Sequence, residues 1–249
     1  MAKYNGLITI EGQIDGLSFY KTADGTFVRR AGGVKKSRIM NDSNFARTRE
    51  NMSEFSEVAK SNKLMRNSFG YLLEKYKDSK MQARLTSKLY EVLRNDTVSD
   101  RGERSIAIGI GTEGGVDVMR GFDFNARAPL SSVLFDGFTL DMEASTLTLT
   151  DVVLGRGLKF PAAATDFNIR LIESVIRFEG GNFETHESNV VTGKTYGTTL
   201  NGVLSFESPL TMQGQRYFLL VIEYLQEVNG NLYPLNNGAF NVVNLLDMV

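Results

Sequence analysis

The chain lacks cysteine and tryptophan altogether, and His186 is the only histidine among its 249 residues. Without cysteine it forms no disulfide, thiolate zinc site or iron–sulfur cluster, and it has no cysteine nucleophile. One histidine cannot supply a metal site built from several histidines. The composition therefore predicts no resident metal and no cofactor.

Long apolar segments are missing as well. No stretch approaches about 18 consecutive apolar residues, which is the length that a membrane-spanning helix needs. The N-terminus has no apolar core of signal-peptide length. We therefore expect no membrane partner, and we expect synthesis and folding in the cytoplasm.

One glycine-rich motif is present, but its context does not suit cofactor binding. Residues 109–114 match the G-x-G-x-x-G pattern that holds a dinucleotide pyrophosphate at a helix N-terminus. Residues 115–118 show no helical period, and no alternation of strands and helices surrounds the motif. The sequence therefore predicts a glycine-rich β turn at this position.

The remaining candidates for catalysis are unspecific. His186 lies in a polar segment that we expect to be an exposed loop, and no nucleophile elbow supports a triad with Ser174 or Ser188. Asp141 and Glu143 lie on one face of an expected strand, and a solvated strand face explains them as well as glycoside chemistry does. The sequence predicts no catalytic residue.

Charge is distributed unevenly along the chain. Residues 1–105 hold 20 Lys/Arg and 13 Asp/Glu, whereas residues 106–249 hold 8 Lys/Arg and 16 Asp/Glu. Basic residues are densest between residues 29 and 49, where the sequence has one acid, Asp42. These basic residues are Arg29, Arg30, Lys35, Lys36, Arg38, Arg47 and Arg49. The opposite charges can neutralise each other within the fold or head to tail between copies, and the basic segment can instead bind a polyanion.

The first residues are typical of β structure. Residues 7–10 predict a short strand, and residues 17–22 and 26–30 predict a hairpin around Asp24-Gly25, because its turn needs positive φ. An isolated hairpin is only marginally stable in water. This ribbon must therefore pack on another part of the chain or on another copy.

Helical periodicity follows in residues 41–95. Asp42 or Ser43 is suited to cap the N-terminus of the first helix. Three apolar stripes recur at helical spacing, and each is expected to pack in a core. Their members are Phe45, Met52, Phe55 and Ala59; Leu64, Met65, Phe69, Leu72, Leu73 and Tyr76; and Met81, Leu85, Leu89, Val92 and Leu93.

After this helical region the sequence predicts strands and no further helix. Residues 105–110 and 116–124 are the first expected strands, and residues 217–228, apolar at both parities, predict a central strand covered on both faces. Asn229-Gly230 and Asn237-Gly238 are typical of hairpin turns. Regularly spaced short strands favour a β-sandwich of about eight strands.

The predicted fold class is therefore α+β, with an N-terminal β-hairpin and a small helical bundle followed by an all-β sandwich. The predicted domains are a β-hairpin ribbon, a basic helical region and an acidic β-sandwich domain. Their bounds are 1–33, 34–98 and 105–249.

Several segments resemble a family of uncharacterised proteins that is common in Bacteroidota. The similarity begins with residues 16–21 (GLSFYK) and Asp24-Gly25, and it continues through residues 32–39 and 44–51 (NFARTREN). Later stretches that take part are 101–104, 121–125, 218–230 and 237–242. The resemblance extends in order over nearly the whole chain. It implies a bacterial source of this type, and it implies no activity and no catalytic residue.

Three functions follow from these observations. The first, which is our prediction, is a non-enzymatic structural protein that self-assembles into a filament or shell by strand addition, with its basic segment docked on an acidic surface. The alternatives are a nucleic-acid-binding or virion-like packaging protein that uses residues 29–49, and a sandwich-fold hydrolase. The candidate docking residues are the seven basic residues named above. The candidate assembly residues are Leu7, Ile8, Ile10, Leu17, Phe19, Tyr20, Phe27 and Val28.

Overall fold

A computed structural model describes residues 2–4, 6, 10–30, 32–76 and 78–249. The chain divides into two compact units, which we call the N-terminal unit (Met1–Asn51) and the C-terminal unit (Met52–Val249). The strand expected at residues 7–10 falls mostly on residues that lie outside the described part of the chain.

The N-terminal unit contains a four-stranded antiparallel sheet with the order β1-β4-β3-β2. Its strands are β1 (Ala2–Lys3), β2 (Gly12–Ile14), β3 (Leu17–Thr22) and β4 (Gly25–Arg30). The predicted hairpin is confirmed, because β3 and β4 pair from Leu17↔Arg30 to Thr22↔Gly25. A second turn, Asp15-Gly16, joins β2 to β3 with φ values of 47° and 75°, as a two-residue hairpin turn requires.

Helices follow this sheet, and the first of them begins before the predicted helical region 41–95. They begin with α1 (Lys36–Asn41), a 3-10 turn (Ser43–Phe45) and α2 (Ala46–Ser68). Asp42 is confirmed as a cap, because its carboxylate accepts the N–H of Asn44 at 2.9 Å. That N–H, together with the Arg38 side chain, holds the pKa of Asp42 below its usual value.

The C-terminal unit contains more helix than the sequence predicts. Its further helices are α3 (Gly70–Tyr76), α4 (Met81–Arg94), α5 (Ile106–Ile110), α6 (Glu113–Met119) and α7 (Leu130–Val133). The strands expected at 105–110 and 116–124 are therefore wrong. Ser105 and Thr112 begin helices there, since their hydroxyls accept the N–H groups of Ala107 and Gly115. Within the described residues, no helix combines the length and the apolar character needed to cross a membrane.

The glycine-rich motif packs helices together and does not form a β turn. A Cβ on Gly109 would lie 2.2 Å from the carbonyl oxygen of Val92, and a Cβ on Gly115 would lie 2.0 Å from that of Gly109. Real Cβ atoms do not approach backbone this closely, so α4, α5 and α6 contact one another directly through their backbones. The glycines are therefore explained by packing.

Two antiparallel sheets complete this unit. The three-stranded sheet has the order β10-β6-β5, from β5 (Phe138–Asp141), β6 (Thr146–Val153) and β10 (Thr199–Leu204). The six-stranded sheet consists of β7 (Asp166–Arg177), β8 (Asn182–Glu187), β9 (Val191–Lys194), β11 (Gln215–Val228), β12 (Asn231–Pro234) and β13 (Val242–Met248).

The paired strands β7 and β11 form the centre of the six-stranded sheet. β12 and β13 lie along the outer side of β11, and β8 and β9 lie along the outer side of β7. The predicted central strand and the Asn229-Gly230 hairpin are confirmed. The hairpin expected at Asn237-Gly238 is wrong, because Leu235–Gly238 is a 3-10 helix.

The six-stranded sheet is covered on both faces. On one face Ile172 and Leu219 pack in a cluster with the helices. On the other face Leu171 and Leu220 pack in a cluster with Leu147 of the three-stranded sheet. The two packed sheets and the helical layer confirm the α+β class and the sandwich.

The first apolar stripe of the helical region is not core, which corrects the prediction. Met52 and Phe55 are 52% and 58% exposed, whereas Val58 and Met65 are fully buried. The buried face of α2 also includes Asn62, whose side-chain amide donates to Thr86 on α4 at 3.1 Å. Only the second half of this helix therefore faces a core in the C-terminal unit.

The connection between α4 and α5 is organised by one buried carboxylate. Asp96 accepts the backbone N–H groups of Val98, Ser99 and Ser105 at 3.0, 3.0 and 2.9 Å. Burial alone would raise its pKa, but these hydrogen bonds outweigh burial and lower the pKa of Asp96 from 3.8 to about 2.

Replacing Gly109 with alanine is expected to lower the free energy of unfolding by about 1–3 kcal/mol, because the added Cβ pushes α5 away from α4. Gly111→Ala is the matched control, since its Cβ would come no closer than 3.5 Å to any neighbour. Its effect should stay below about 1 kcal/mol. Urea denaturation followed by circular dichroism measures both, and equal losses would contradict the packing role.

Asp96→Asn is expected to lower the free energy of unfolding by about 1–3 kcal/mol at neutral pH. Because the pKa of Asp96 is lower in the folded state, its contribution is present above pH 3.8 and is lost as the pH falls toward 2. Urea denaturation of the wild type and the variant at several pH values should therefore show a difference that shrinks over this range. A constant difference would contradict this assignment.

Candidate functional site

The N-terminal sheet is not covered as a stable sheet requires. None of the side chains that the structure describes in this unit is fully buried. Ile14 and Leu17 are 53% and 41% exposed although both are large and apolar. A small sheet is stable only when an apolar face packs against another layer. The sheet is therefore the strongest candidate for a binding surface.

Strand alternation places the predicted assembly residues on two different faces. Directly paired residues share a face, so Leu17, Phe19 and Val28 lie together, and the pairing of Ile14 with Leu17 adds Ile14 to them. The ring of Tyr4 meets Phe19 edge to face, with centroids 5.4 Å apart. We call these five residues the apolar face.

The opposite side of the sheet has a different character. Tyr20 and Phe27 are paired across β3 and β4, and their rings are stacked with centroids 6.1 Å apart. The Arg29 guanidinium lies 5.6 Å from the centre of the Tyr20 ring, and Lys3 pairs with Phe27. We call Lys3, Tyr20, Phe27 and Arg29 the basic-aromatic face.

The other predicted assembly residues contribute less. Leu7 and Ile8 lie outside the described residues, and Ile10 is half-buried and belongs to no strand. Sequence reasoning missed Ile14, which lies on the apolar face. The Asp15-Gly16 pair directly after it is as clear a hairpin signal as Asp24-Gly25, and it could have revealed β2.

Three of the seven predicted docking residues are used inside the N-terminal unit. Arg38 pairs with Asp42 at 3.2 Å, and Arg47 pairs with Glu50 at 2.8 Å. Arg49 donates to the carbonyl oxygens of residues 39 and 42 at 2.7 and 2.9 Å. Arg38 and Arg49 therefore contact the turn from α1 into α2, whereas the Arg47 pair lies within α2.

The remaining basic residues present their charge to solvent. Arg30, Lys35 and Lys36 are exposed, and none of them forms an ion pair in the part of the chain that the structure describes. Together with Arg29 they are the residues best suited to meet an acidic partner.

The two units carry opposite formal charges. The N-terminal unit has 9 Lys/Arg and 5 Asp/Glu, a net charge of +4, and the C-terminal unit has 19 and 24, a net charge of −5. Charges of opposite sign on two surfaces favour their encounter.

The C-terminal unit contains a buried network of charged and polar side chains around Glu223. Glu223, which is 5% exposed, accepts hydrogen bonds from the Tyr76 hydroxyl and the Arg170 guanidinium, and Lys75 lies 3.3 Å from it. Arg170 also reaches Glu187 at 3.2 Å. Burial lowers the pKa of Arg170 and raises that of Glu187. The network attaches α3 to β7, β8 and β11.

The predicted surroundings of His186 are wrong. The residue lies in strand β8 and is only partly exposed, and its Nδ1 is 3.2 Å from the carbonyl oxygen of Ser208. Ser174 pairs with Thr185, so it points to the other face of the sheet. The Ser188 hydroxyl donates to the backbone of Asn189. The structure therefore does not bring these residues into a triad.

The carboxylates of Asp141 and Glu143 do not share a strand face, which also corrects the prediction. β5 ends at Asp141, whose side chain accepts the N–H groups of Glu143 and Ala144 at 3.0 and 2.9 Å. Asp141 therefore shapes the turn that leads into β6.

The described residues contain no group of three or more His, Asp or Glu side chains placed to hold a metal ion. A groove of about 560 Å³ lies along α4 and α6. Its basic side chains all form ion pairs: Arg84 with Asp78, Lys88 with Glu91, and Arg120 with Asp117 and Asp247.

Comparison of the chain with protein-family models, curated proteins and solved structures finds no match.

Replacing Arg170 with methionine is expected to lower the free energy of unfolding by about 3 kcal/mol, because Glu223 stays buried with fewer partners. Arg177→Met is the matched control, since Arg177 lies at the end of the same strand and is exposed. It should cost no more than about 0.5 kcal/mol. Urea denaturation compares the two, and a similar small effect of both would show that the network does not anchor α3.

Proposed function

We propose that the protein is a non-enzymatic structural protein whose copies assemble head to tail into a filament or shell. In this proposal the N-terminal sheet of one copy is covered by the acidic C-terminal unit of the next copy. The observation that carries it is the apolar face, which belongs to a four-stranded sheet without a fully buried side chain among the described residues.

The apolar face supplies the driving force for assembly. Burying a large aliphatic or aromatic side chain contributes about 1.5–3 kcal/mol relative to leaving it exposed. Ile14 and Leu17, which are 53% and 41% exposed, gain most when another copy covers them. Phe19 and Val28 are already partly covered and complete the same surface.

Charge supplies the direction of assembly. The positive N-terminal unit of one copy attracts the negative C-terminal unit of another copy. Contacts between unlike surfaces repeat from copy to copy, so they close into a ring or shell or extend into a filament.

Strand edges supply the register. β1 and β2 are the outer strands of the N-terminal sheet. In the C-terminal unit, the residues of β8 pair along the backbone with β7 and with no other described strand. β8 carries Glu184, which accepts the N–H groups of Thr211 and Met212 at 3.0 and 2.7 Å, and Glu187, which pairs with Arg170 at 3.2 Å. Pairing of β2 with β8 of the next copy would extend the six-stranded sheet.

Leu17→Asp is expected to abolish assembly, because it replaces an exposed apolar side chain of the apolar face with a charge next to Ile14. Ser18→Asp is the matched control, since it adds the same charge to the next residue of the same strand on the opposite face. Wild type and Ser18→Asp should sediment as large species that are visible as filaments or shells in micrographs. Leu17→Asp should sediment as a monomer with an unchanged circular dichroism spectrum.

The ionic strength and a deletion of residues 1–33 test the proposal further. Raising the ionic strength should weaken assembly without abolishing it, because salt screens the charges and leaves apolar burial in place. A wild-type protein that stays monomeric at high concentration, and is unchanged when residues 1–33 are deleted, would overturn the proposal.

A further inference from the structure

The basic-aromatic face combines the two features that single-stranded nucleic acid requires of a protein surface. Such a surface needs aromatic rings on which bases stack, and it needs positive charge along the path of the phosphates. The sequence places few aromatic residues inside the basic segment 29–49, but the fold brings a stacked ring pair beside it. We propose that this face binds single-stranded DNA or RNA.

The aromatic pair forms a continuous platform across two strands. Tyr20 and Phe27 are direct partners in the register of β3 and β4, so their side chains stand next to each other on the same face. Their rings are inclined by only 25°. Two rings with nearly parallel planes offer stacking area to bases whatever their sequence, since every base has a π-face.

Positive charge lies at both ends of this platform. Arg29 extends over the Tyr20 ring, with 5.6 Å between its guanidinium carbon and the ring centre. At the other end Lys3 pairs with Phe27, and its Nζ lies 3.7 Å from the position of a Cβ on Gly25, so the ammonium group is on this face. A base on the platform therefore has a cation on each side for its phosphates.

Acidic side chains are absent from this face among the strand residues that the structure describes. Apart from the four residues that define it, the residues that alternate onto this face are Gln13, Ser18, Thr22 and Gly25. The nearby acids Asp15 and Asp24 lie in the two turns. The charged side chains among the described strand residues of this face are therefore all positive.

The chain after β4 carries further positive charge. Lys35 and Lys36 are exposed and form no ion pair within the described residues, whereas Arg30 pairs with Leu17 and lies on the apolar side of the sheet. With Lys3 and Arg29, the two lysines can neutralise several phosphates. For about four phosphates on a single strand, the logarithm of the affinity should fall with the logarithm of salt concentration with a slope of about −3.

The geometry favours single strands over duplexes. A ring platform reads the flat faces of bases, and these faces are hidden in a duplex. Because stacking is open to every base, we expect little dependence on base sequence. This function uses the face opposite the apolar face, so it does not rest on the proposed assembly.

The test is fluorescence anisotropy of the full-length protein with a labelled mixed-sequence single strand of about 20 nucleotides, long enough to span a typical site. Phe27→Leu removes the ring and keeps an apolar side chain, and it should weaken binding about tenfold. Arg29→Ala should reduce the salt slope by about 0.7. Lys21→Ala is the matched control, because Lys21 is a cation on the apolar side of the same sheet, and it should leave the affinity within about twofold.

Several results would overturn the inference. They are the absence of binding at low salt, equal affinity for a duplex of the same sequence, and unchanged affinity in Phe27→Leu. Phe27→Tyr keeps the ring and should bind like the wild type, so a loss there equal to that of Phe27→Leu would also overturn it. Leu17→Asp should show the same dependence on Phe27 and on salt, which separates this inference from the fate of the assembly proposal.

Discussion

The antiparallel pairing of β7 with β11 is the interaction on which the C-terminal unit depends. Because successive residues of a strand point to opposite faces, one strand pair can support two cores. Ile172 and Leu219 face the helical layer, while Leu171 and Leu220 face the three-stranded sheet. The N-terminal sheet obeys the same alternation, yet none of its described side chains is fully buried. The contrast between a sheet covered twice and a sheet that lacks a buried face is the physical reason to expect assembly.

The elements of the fold that could be predicted from sequence are those that local sequence patterns determine. The Asp24-Gly25 hairpin and the central strand at 217–228 were predictable, because turn chemistry and two-sided apolarity are local properties. The helices α5 and α6 were not, since short apolar runs have no decisive period and the caps Ser105 and Thr112 decide the outcome. Helical periodicity placed Met52 and Phe55 on one helix face. Whether that face is buried depends on tertiary packing, which the periodicity of the sequence does not show.

The candidate site shows the same division. The sequence indicated the segment in which the candidate site lies, but it grouped Phe19 and Phe27 as one surface. The short turn between β3 and β4 sets a register that places them on opposite faces, so this separation could have been derived from the turn. The separation matters for the two proposals, because the proposed assembly uses one face and the proposed nucleic-acid binding uses the other. In an assembly, repeated basic-aromatic faces would bind one nucleic-acid strand at several points and so with higher avidity.

The central claim is that β2 of one copy is covered by the next copy along the edge of β8. Hydrogen–deuterium exchange at increasing protein concentration tests it most directly, because backbone amides are protected only when they gain partners. The account predicts that β2 and β8 become protected together as concentration rises, while the buried pair β7 and β11 stays protected throughout. Exchange in β2 and β8 that does not change with concentration would contradict the account.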